Sequence, residues 1–183
     1  LGKGGLIILS NYKYTEKEKE ELLKSIVILI DSREQNNKWI TDFFNKKKIS
    51  YKINKLDYGD YSFYITKNDE LNIPRELYFS NQISIERKMS LEELSGNFSQ
   101  QRDRFEKEFS LYKGKMHLLI ENANYEDICT GNYKTEYNKK SYLGSLHSFA
   151  NRYNINIMFM PNNQYSGLYI WATFYYYLRN LIK

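Results

Sequence analysis

The stretch ISIERKMS, residues 83–90, passes from apolar to charged with no turn residue between. Ile83 and Ile85 alternate as strand residues do, and Glu86, Arg87 and Lys88 follow at once. Charges at a strand end are costly unless they are solvated, paired or bound to a ligand. Residues i and i+2 of a strand share a face, so Glu86 and Lys88 point one way and Arg87 the other. What each side meets depends on the neighbouring strands.

Upstream, SIVILID (25–31) is a continuous β-branched run, as expected of a strand buried on both faces. Trp39, Ile40, Phe43 and Phe44 recur at helical spacing, and ISYKINKL (49–56) alternates as a strand. GDYSFYIT (59–66) starts another strand from a glycine turn, and the polar stretch around Pro74 predicts a long hairpin loop. Downstream, Leu91, Leu94, Phe98, Phe105, Phe109 and Tyr112 fall on one face of a long helix, and Ser90 with Glu93 offers a capping box. KMHLLIEN (115–122) and INIMFM (155–160) read as strands. Tyr142, Leu143, Leu146, Phe149, Ala150 and Tyr153 mark a helix between them. A closing helix turns Trp171, Phe174, Tyr175, Leu178, Leu181 and Ile182 inward. Residues 1–24 stand apart as an N-terminal extension, with TEKEKEELLK (15–24) a short charged helix, and residues 25–183 form the domain proper. A hairpin-rich start and an alternating end predict an α/β three-layer fold.

Composition sets the bounds. The chain has 183 residues, 42% hydrophobic and 27% charged, enough for one globular domain with a real core. No apolar stretch is long enough to span a membrane, and LGKGGLIILSNYKY (1–14) has too short an apolar core for a signal peptide. Cys129 is the single cysteine, so no internal disulfide and no zinc cluster is expected, and the protein reads as intracellular. Cys129, His117 and His147 read as structural. A net charge of +5 is compatible with an anionic partner such as nucleic acid.

Charged clusters sit at three predicted strand ends: DSRE (31–34), Asp60 of GDY, and ERK (86–88). If the GDY and ERK strands are antiparallel neighbours, Asp60 approaches Glu86, and Asp31 joins them from the adjacent buried strand. Converging carboxylates suit Mg²⁺, a hard cation that takes oxygen ligands and keeps several waters. Such an ion lowers the pKa of a bound water and offsets charge building on a phosphate, and a lysine beside the glutamate orients the attacking water. That set of groups is equipped to hydrolyse phosphodiesters. Plainer readings stand beside it. SREQ (32–35) is a capping box for the helix after it, Asp60 after Gly59 is a turn residue, and Glu86 with Lys88 is a solvated edge pair.

VILIDSRE (27–34), LDYGDY (56–61) and SIERKMSLEEL (84–94) resemble the nuclease domain of the XPF/Hef structure-specific endonucleases. QRDRFEKEF (101–109), HLLIENANYEDI (117–128) and LGSLHSFANRYNINIMF (143–159) resemble its later part, especially in compact single-domain versions from bacteria and phages. The likeness covers about residues 26–183. It implies a restriction-endonuclease-like PD-(D/E)xK fold, a central mixed sheet flanked by helices. It also implies an Mg²⁺- or Mn²⁺-dependent endodeoxyribonuclease that cuts branched or flapped DNA by in-line attack of a metal-activated water. If the chain is bacterial or from a phage, its place is the cytoplasm.

Carried over residue by residue, the resemblance makes Asp60 and Glu86 the main metal ligands, with Asp31 and Glu34 completing the acidic pocket. Lys88 positions the water, and Arg33 and Arg87 meet phosphates or brace the carboxylates. A structural ion pair is an equal alternative for both arginines. The family's ERKxxxD ends here in Glu92, and its helix arginine matches Arg102 or Arg104, with Arg102 preferred. Lys46, Lys47 and Lys48, and Lys134, Lys139 and Lys140, are candidate phosphate contacts or simply a solvated face. The likeness implies a homodimer through C-terminal helices. Residues 1–183 hold no helix-hairpin-helix segment, so the surface, a second copy or a separate DNA-binding protein would supply specificity. The alternatives are a non-catalytic DNA-binding or scaffold subunit, and a junction resolvase or restriction-type nuclease.

Overall fold

The computed structural model describes Leu9 and residues 12–182. Its elements run α1 (Glu16–Lys24), β1 (Ile26–Asp31), α2 (Lys38–Lys47), β2 (Tyr51–Asn54), β3 (Tyr61–Ile65), β4 (Leu77–Tyr78) and β5 (Ile83–Lys88). Then follow α3 (Leu91–Phe98), α4 (Arg102–Leu111), β6 (Lys115–Glu121), α5 (Tyr125–Thr130), α6 (Lys139–Tyr153), β7 (Ile155–Met160) and α7 (Ser166–Leu181). One mixed sheet has the order β2-β1-β3-β5-β6-β7, with β4 added beside β3. β3 is antiparallel to both β1 and β5, while β1–β2, β5–β6 and β6–β7 are parallel.

Strand alternation divides the core into two layers. Ile26, Ile28, Ile30, Tyr61, Phe63, Ile83, Ile85 and Leu119 bury one sheet face against α2 and α7. Met116, Leu118, Ile120 and Ile155 bury the other against α3, α4, α5 and α6. The three-layer expectation holds, with helices on both faces of a mixed sheet.

Several sequence expectations change in detail. The long helix from residue 91 is two helices, because Ser99 turns its hydroxyl and N–H back onto the Ser95 carbonyl and ends α3. Its six apolar residues still share one core cluster. SREQ does not cap a helix: α2 begins at Lys38 after Asn37, leaving Glu34 free for other partners. The Ser90 side chain does accept from the Glu93 N–H, while the Glu93 carboxylate accepts from the Met89 N–H. In α7, Phe174 and Leu178 are buried as expected, while Trp171, Tyr175 and Leu181 are half-buried. The polar stretch between β3 and β5 is more than a loop, since it holds β4 and buries Leu71, Ile73, Leu77 and Phe79. The α5 helix carried no periodic signal; Asn124 and Asp127 form its capping box. The charged 15–24 stretch is indeed helical, capped by Thr15 with Glu18.

Candidate active site

The end of β5 carries the three charges, and all three are buried. The β3–β5 register pairs Tyr61 with Ile85, so one step further Asp60 stands opposite Glu86. The Asp60 N–H donates to the Ile85 carbonyl at 2.8 Å, and an Asp60 carboxylate oxygen accepts from the Arg87 N–H at 2.7 Å. Gly59 makes this approach possible. It sits at φ +67°, and a Cβ there would lie 2.6 Å from Ser84 Oγ. Asp31 joins from β1, its N–H donating to the Asp60 carbonyl at 2.8 Å.

Glu86 and Lys88 share the face toward α3 and α4, with Lys88 Nζ donating to Glu86 Oε1 at 2.7 Å. Lys88 also lies 3.6 Å from Glu93 and 5.2 Å from the Phe105 ring centre. Together with Glu92, Gln101, Arg104 and Glu108 they line a cleft of about 410 Å³. Burial pulls the Lys88 pKa down, but Glu86, Glu93 and Asp60 outweigh it and hold the ammonium above its ordinary range. Lys88 is therefore a fixed positive charge and hydrogen-bond donor at neutral pH, not a base.

Arg87 points through the other face and is almost wholly enclosed. It donates to Glu121 Oε2 at 2.8 Å, to the Asn36 carbonyl at 2.9 Å and to Glu34. Its guanidinium lies 5.2 Å from the Trp39 ring centre, and Trp39 Nε1 donates to the second Glu121 oxygen at 3.1 Å. Arg87 is a brace between two carboxylates and an indole. Glu34 is thus part of that brace, and burial raises its pKa although Arg87 opposes the rise.

Asp31 has partners of its own. Its two oxygens accept from Arg33 Nε at 2.7 Å and from the Leu56 N–H at 2.6 Å. Burial works against its charge, but these bonds keep its pKa below the usual range. Arg33 closes the bridge by donating to the Leu56 carbonyl at 3.1 Å. Asp31 and Arg33 therefore fasten the chain leading into the Gly59–Asp60 turn.

Asp60 is half-buried, and burial followed by the nearby charges of Glu86 and Glu34 raises its pKa well above normal. Glu108, reaching in from α4, is raised by burial and by Glu86, and its carboxyl accepts from the Gly59 N–H. Crowded carboxylates of this kind fit a divalent cation, which would replace their mutual repulsion by attraction. Among the described residues, no three His, Cys, Asp or Glu side chains are arranged to enclose a metal ion by themselves. The donor set that fits is Asp60 with Glu86, and water and phosphate oxygens would supply the remaining ligands.

Sequence reasoning missed Glu121 and Glu108. Glu121 had a signal, since LLIEN carries an acid at the end of a buried strand, much as ISIERK carries Glu86 near the end of its own. Glu108 had none, because a glutamate on an amphipathic helix is ordinary. Arg104, not Arg102, lines the cleft; the Arg102 guanidinium sits 5.8 Å from the Phe149 ring centre and 3.9 Å from Glu106. Glu92 borders the cleft and accepts from the Lys134 N–H at 2.8 Å, tying down the loop before α6. Lys139 and Lys140 are exposed at the start of α6. Lys46, Lys47 and Lys48 end α2 and its C-cap, away from the acids.

A mixed sheet flanked by helices, with an aspartate facing a Glu-x-Lys strand end, is the restriction-endonuclease-like architecture of the XPF-type nuclease domain. Residues 30–172 match the model of the ERCC4 domain, and the chain belongs to that family. The fold is similar to that of XPF from Aeropyrum pernix, with a TM-score of 0.60 at 14% identity, covering 85% of this chain and 66% of that one. XPF from Aeropyrum pernix in complex with DNA is similar to the same degree: TM-score 0.61, 14% identity, 84% and 66% covered. The chain thus spans just under two thirds of the archaeal chains. Comparison with curated proteins finds no match. Among the described residues no helix is long and apolar enough to cross a membrane.

Proposed function

We propose that this chain is a divalent-metal-dependent DNA endonuclease acting on branched or flapped DNA. The supporting observation is the placement of Asp60 opposite Glu86, with Lys88 on the same face at the head of a cleft. Asp60 and Glu86 would hold Mg²⁺ or Mn²⁺, which would supply water activation and offset phosphate charge. Lys88 holds its positive charge beside Glu86 and donates a hydrogen bond to the incoming water. Arg104, lining the same cleft, meets a backbone phosphate. Arg87 keeps the strand end straight by spanning Glu34 and Glu121, and Asp31 with Arg33 fixes the turn that carries Asp60.

The DNA complex of the archaeal XPF structure supports DNA as the partner. A second copy is the other partner proposed. Residues 155–178 contain no charged side chain in a chain that is 27% charged. Within that segment Met158, Tyr165 and Tyr176 are exposed, a surface on which two cationic copies can meet without repulsion. Sedimentation of wild type against Tyr176→Glu tests it.

The deciding experiment is cleavage of labelled duplex, single-stranded, flapped and four-way DNA in Mg²⁺, Mn²⁺ and EDTA, beside Asp60→Ala. Metal-dependent cutting that the substitution abolishes is the expected result, and the substrate ranking separates flap from junction cutting. Equal cutting by both proteins overturns the assignment. Binding without cutting by either makes the chain a DNA-binding subunit.

A further inference from the structure

At the opposite end of β1 from Asp31, the chain has a second concave surface. It is a groove of about 720 Å³ lined by residues that include Leu23 and Lys24 of α1, Phe43 and Lys47 of α2, and Trp171 and Tyr175 of α7. Lys48 and Ile49 also line it, and Glu20 is its one acid. β1 rises ~3.3 Å per residue, so the groove lies roughly 17 Å along the strand from the acidic end, and it opens among α1, α2 and α7 while the cleft lies toward α3 and α4 on the other sheet face. It is partly made by residues outside the ERCC4 match: α1 precedes residue 30, and Tyr175 follows residue 172.

We propose that this groove binds single-stranded DNA at a site separate from the acidic cleft. The proposal rests on the nuclease reading above. Three lysines against one glutamate, which lies 4.0 Å from Lys24, leave the rim cationic, with Lys47 and Lys48 outside that pair. The floor offers aromatic rings: Trp171 and Tyr175 are half-buried with ring centres 4.8 Å apart, and Phe43 lies nearby. Lysines around partly open aromatic rings are what a flexible strand needs, phosphates for the ammonium groups and base faces for the rings. Duplex DNA cannot present its base faces in this way.

Lys48 adds an independent sign. Among the described residues four non-glycine positions have positive φ, and the other three are Asn72, Asn122 and Asn154. Asparagine tolerates that conformation, whereas lysine does not favour it. Lys48 stands at φ 56° as the C-cap of α2, where a less strained residue would cap as well. Strained backbone is retained where a side chain is needed.

The test is binding of a labelled oligothymidylate to the intact chain in EDTA, read by anisotropy and by tryptophan fluorescence across a salt series. Expected are fluorescence quenching that Trp171→Phe removes, and a slope of log affinity against log salt of about −2, as three phosphate contacts on a single strand require. Lys47→Gln with Lys48→Asn should weaken binding about tenfold or more. Lys48→Asn keeps a residue suited to the left-handed cap, so the fold is retained and the loss is one of charge. Absent binding at low salt, or affinity unchanged by the double substitution, overturns the proposal. So does an acidic amphipathic peptide that binds the groove in preference to the strand, which would make it a protein-docking site. Cleavage is read separately in Mn²⁺. A chain that cuts but holds no strand refutes the groove alone, and one that holds the strand without cutting refutes the nuclease reading alone.

Discussion

Arg87 donates to Glu121 at 2.8 Å across the parallel β5–β6 pair, and both side chains are sealed from solvent at 3% and 0% exposure. The pair sits directly behind the face that carries Glu86 and Lys88, since these flank Arg87 and point the other way. Removing one partner of a buried pair leaves an uncompensated charge, which costs about 3–5 kcal/mol. Arg87→Ala should lower stability by about that much in urea unfolding. Glu121→Gln should cost less, because its one carbonyl oxygen still accepts from Arg87 or from Trp39, though no longer from both on separate oxygens.

Asp60 gives the reverse sign. Its pKa is raised by burial and by Glu86 and Glu34, so the folded state resists its ionisation. The unfolded carboxyl ionises near 3.9. Stability is therefore lost as pH rises from there through the raised folded pKa. Asp60→Asn removes that loss and still accepts from the Arg87 N–H. It should melt higher than wild type at pH 7 in EDTA, by about 2–4 °C for each kcal/mol relieved, with the gap closing near pH 4. Mn²⁺ should raise the melting temperature of wild type and not of Asp60→Asn. Equal response of the two proteins to Mn²⁺ would exclude Asp60 as a ligand.

Lys88 should matter to rate more than to binding. Its ammonium is already paired with Glu86 and stays charged, so in the proposed reaction it would act on the attacking water and the phosphate. Lys88→Ala should slow single-turnover cleavage roughly 10²-fold or more, with DNA affinity in EDTA little changed. A loss of affinity that matches the loss of rate would make Lys88 a simple phosphate contact.

Arg104 and Arg102 separate cleanly. Arg104 lines the cleft, while Arg102 packs by Phe149 and Glu106. Arg104→Ala should weaken duplex binding across all sequences and reduce the salt slope by about 0.9, as loss of one phosphate contact does. Arg102→Ala should leave that slope as it is.

His117 supplies an acid-sensitive element far from the cleft. Its Nδ1 lies 2.8 Å from the Tyr169 hydroxyl, and burial, then Lys115, pushes its pKa down to about 4 from 6.5. The unfolded imidazole takes its proton first, so the unfolded state binds more protons between those values. This contribution to stability is whole above pH 6.5 and falls away as pH drops toward 4. His117→Gln should flatten the difference in urea midpoint between pH 7 and pH 5.

The sequence by itself determined the strands other than β4 and the order of the charged groups. A β-branched run must be buried, so SIVILID became a central strand. Alternation then divided Glu86 and Lys88 from Arg87 before any neighbour was known. Tertiary structure decided what each charge meets, because that depends on register and on elements far along the chain. Only the Tyr61–Ile85 pairing brings Asp60 opposite Glu86. Only the parallel β5–β6 register puts Glu121 within reach of Arg87. Only the break at Ser99 turns α4 so that Arg104 and Glu108 line the cleft. The DSRE cluster shows the limit most plainly. Its residues adjoin in sequence, yet Asp31 and Arg33 lock to Leu56 while Glu34 joins Arg87, because a side chain's partner is fixed by the direction it leaves the backbone and not by its position along it.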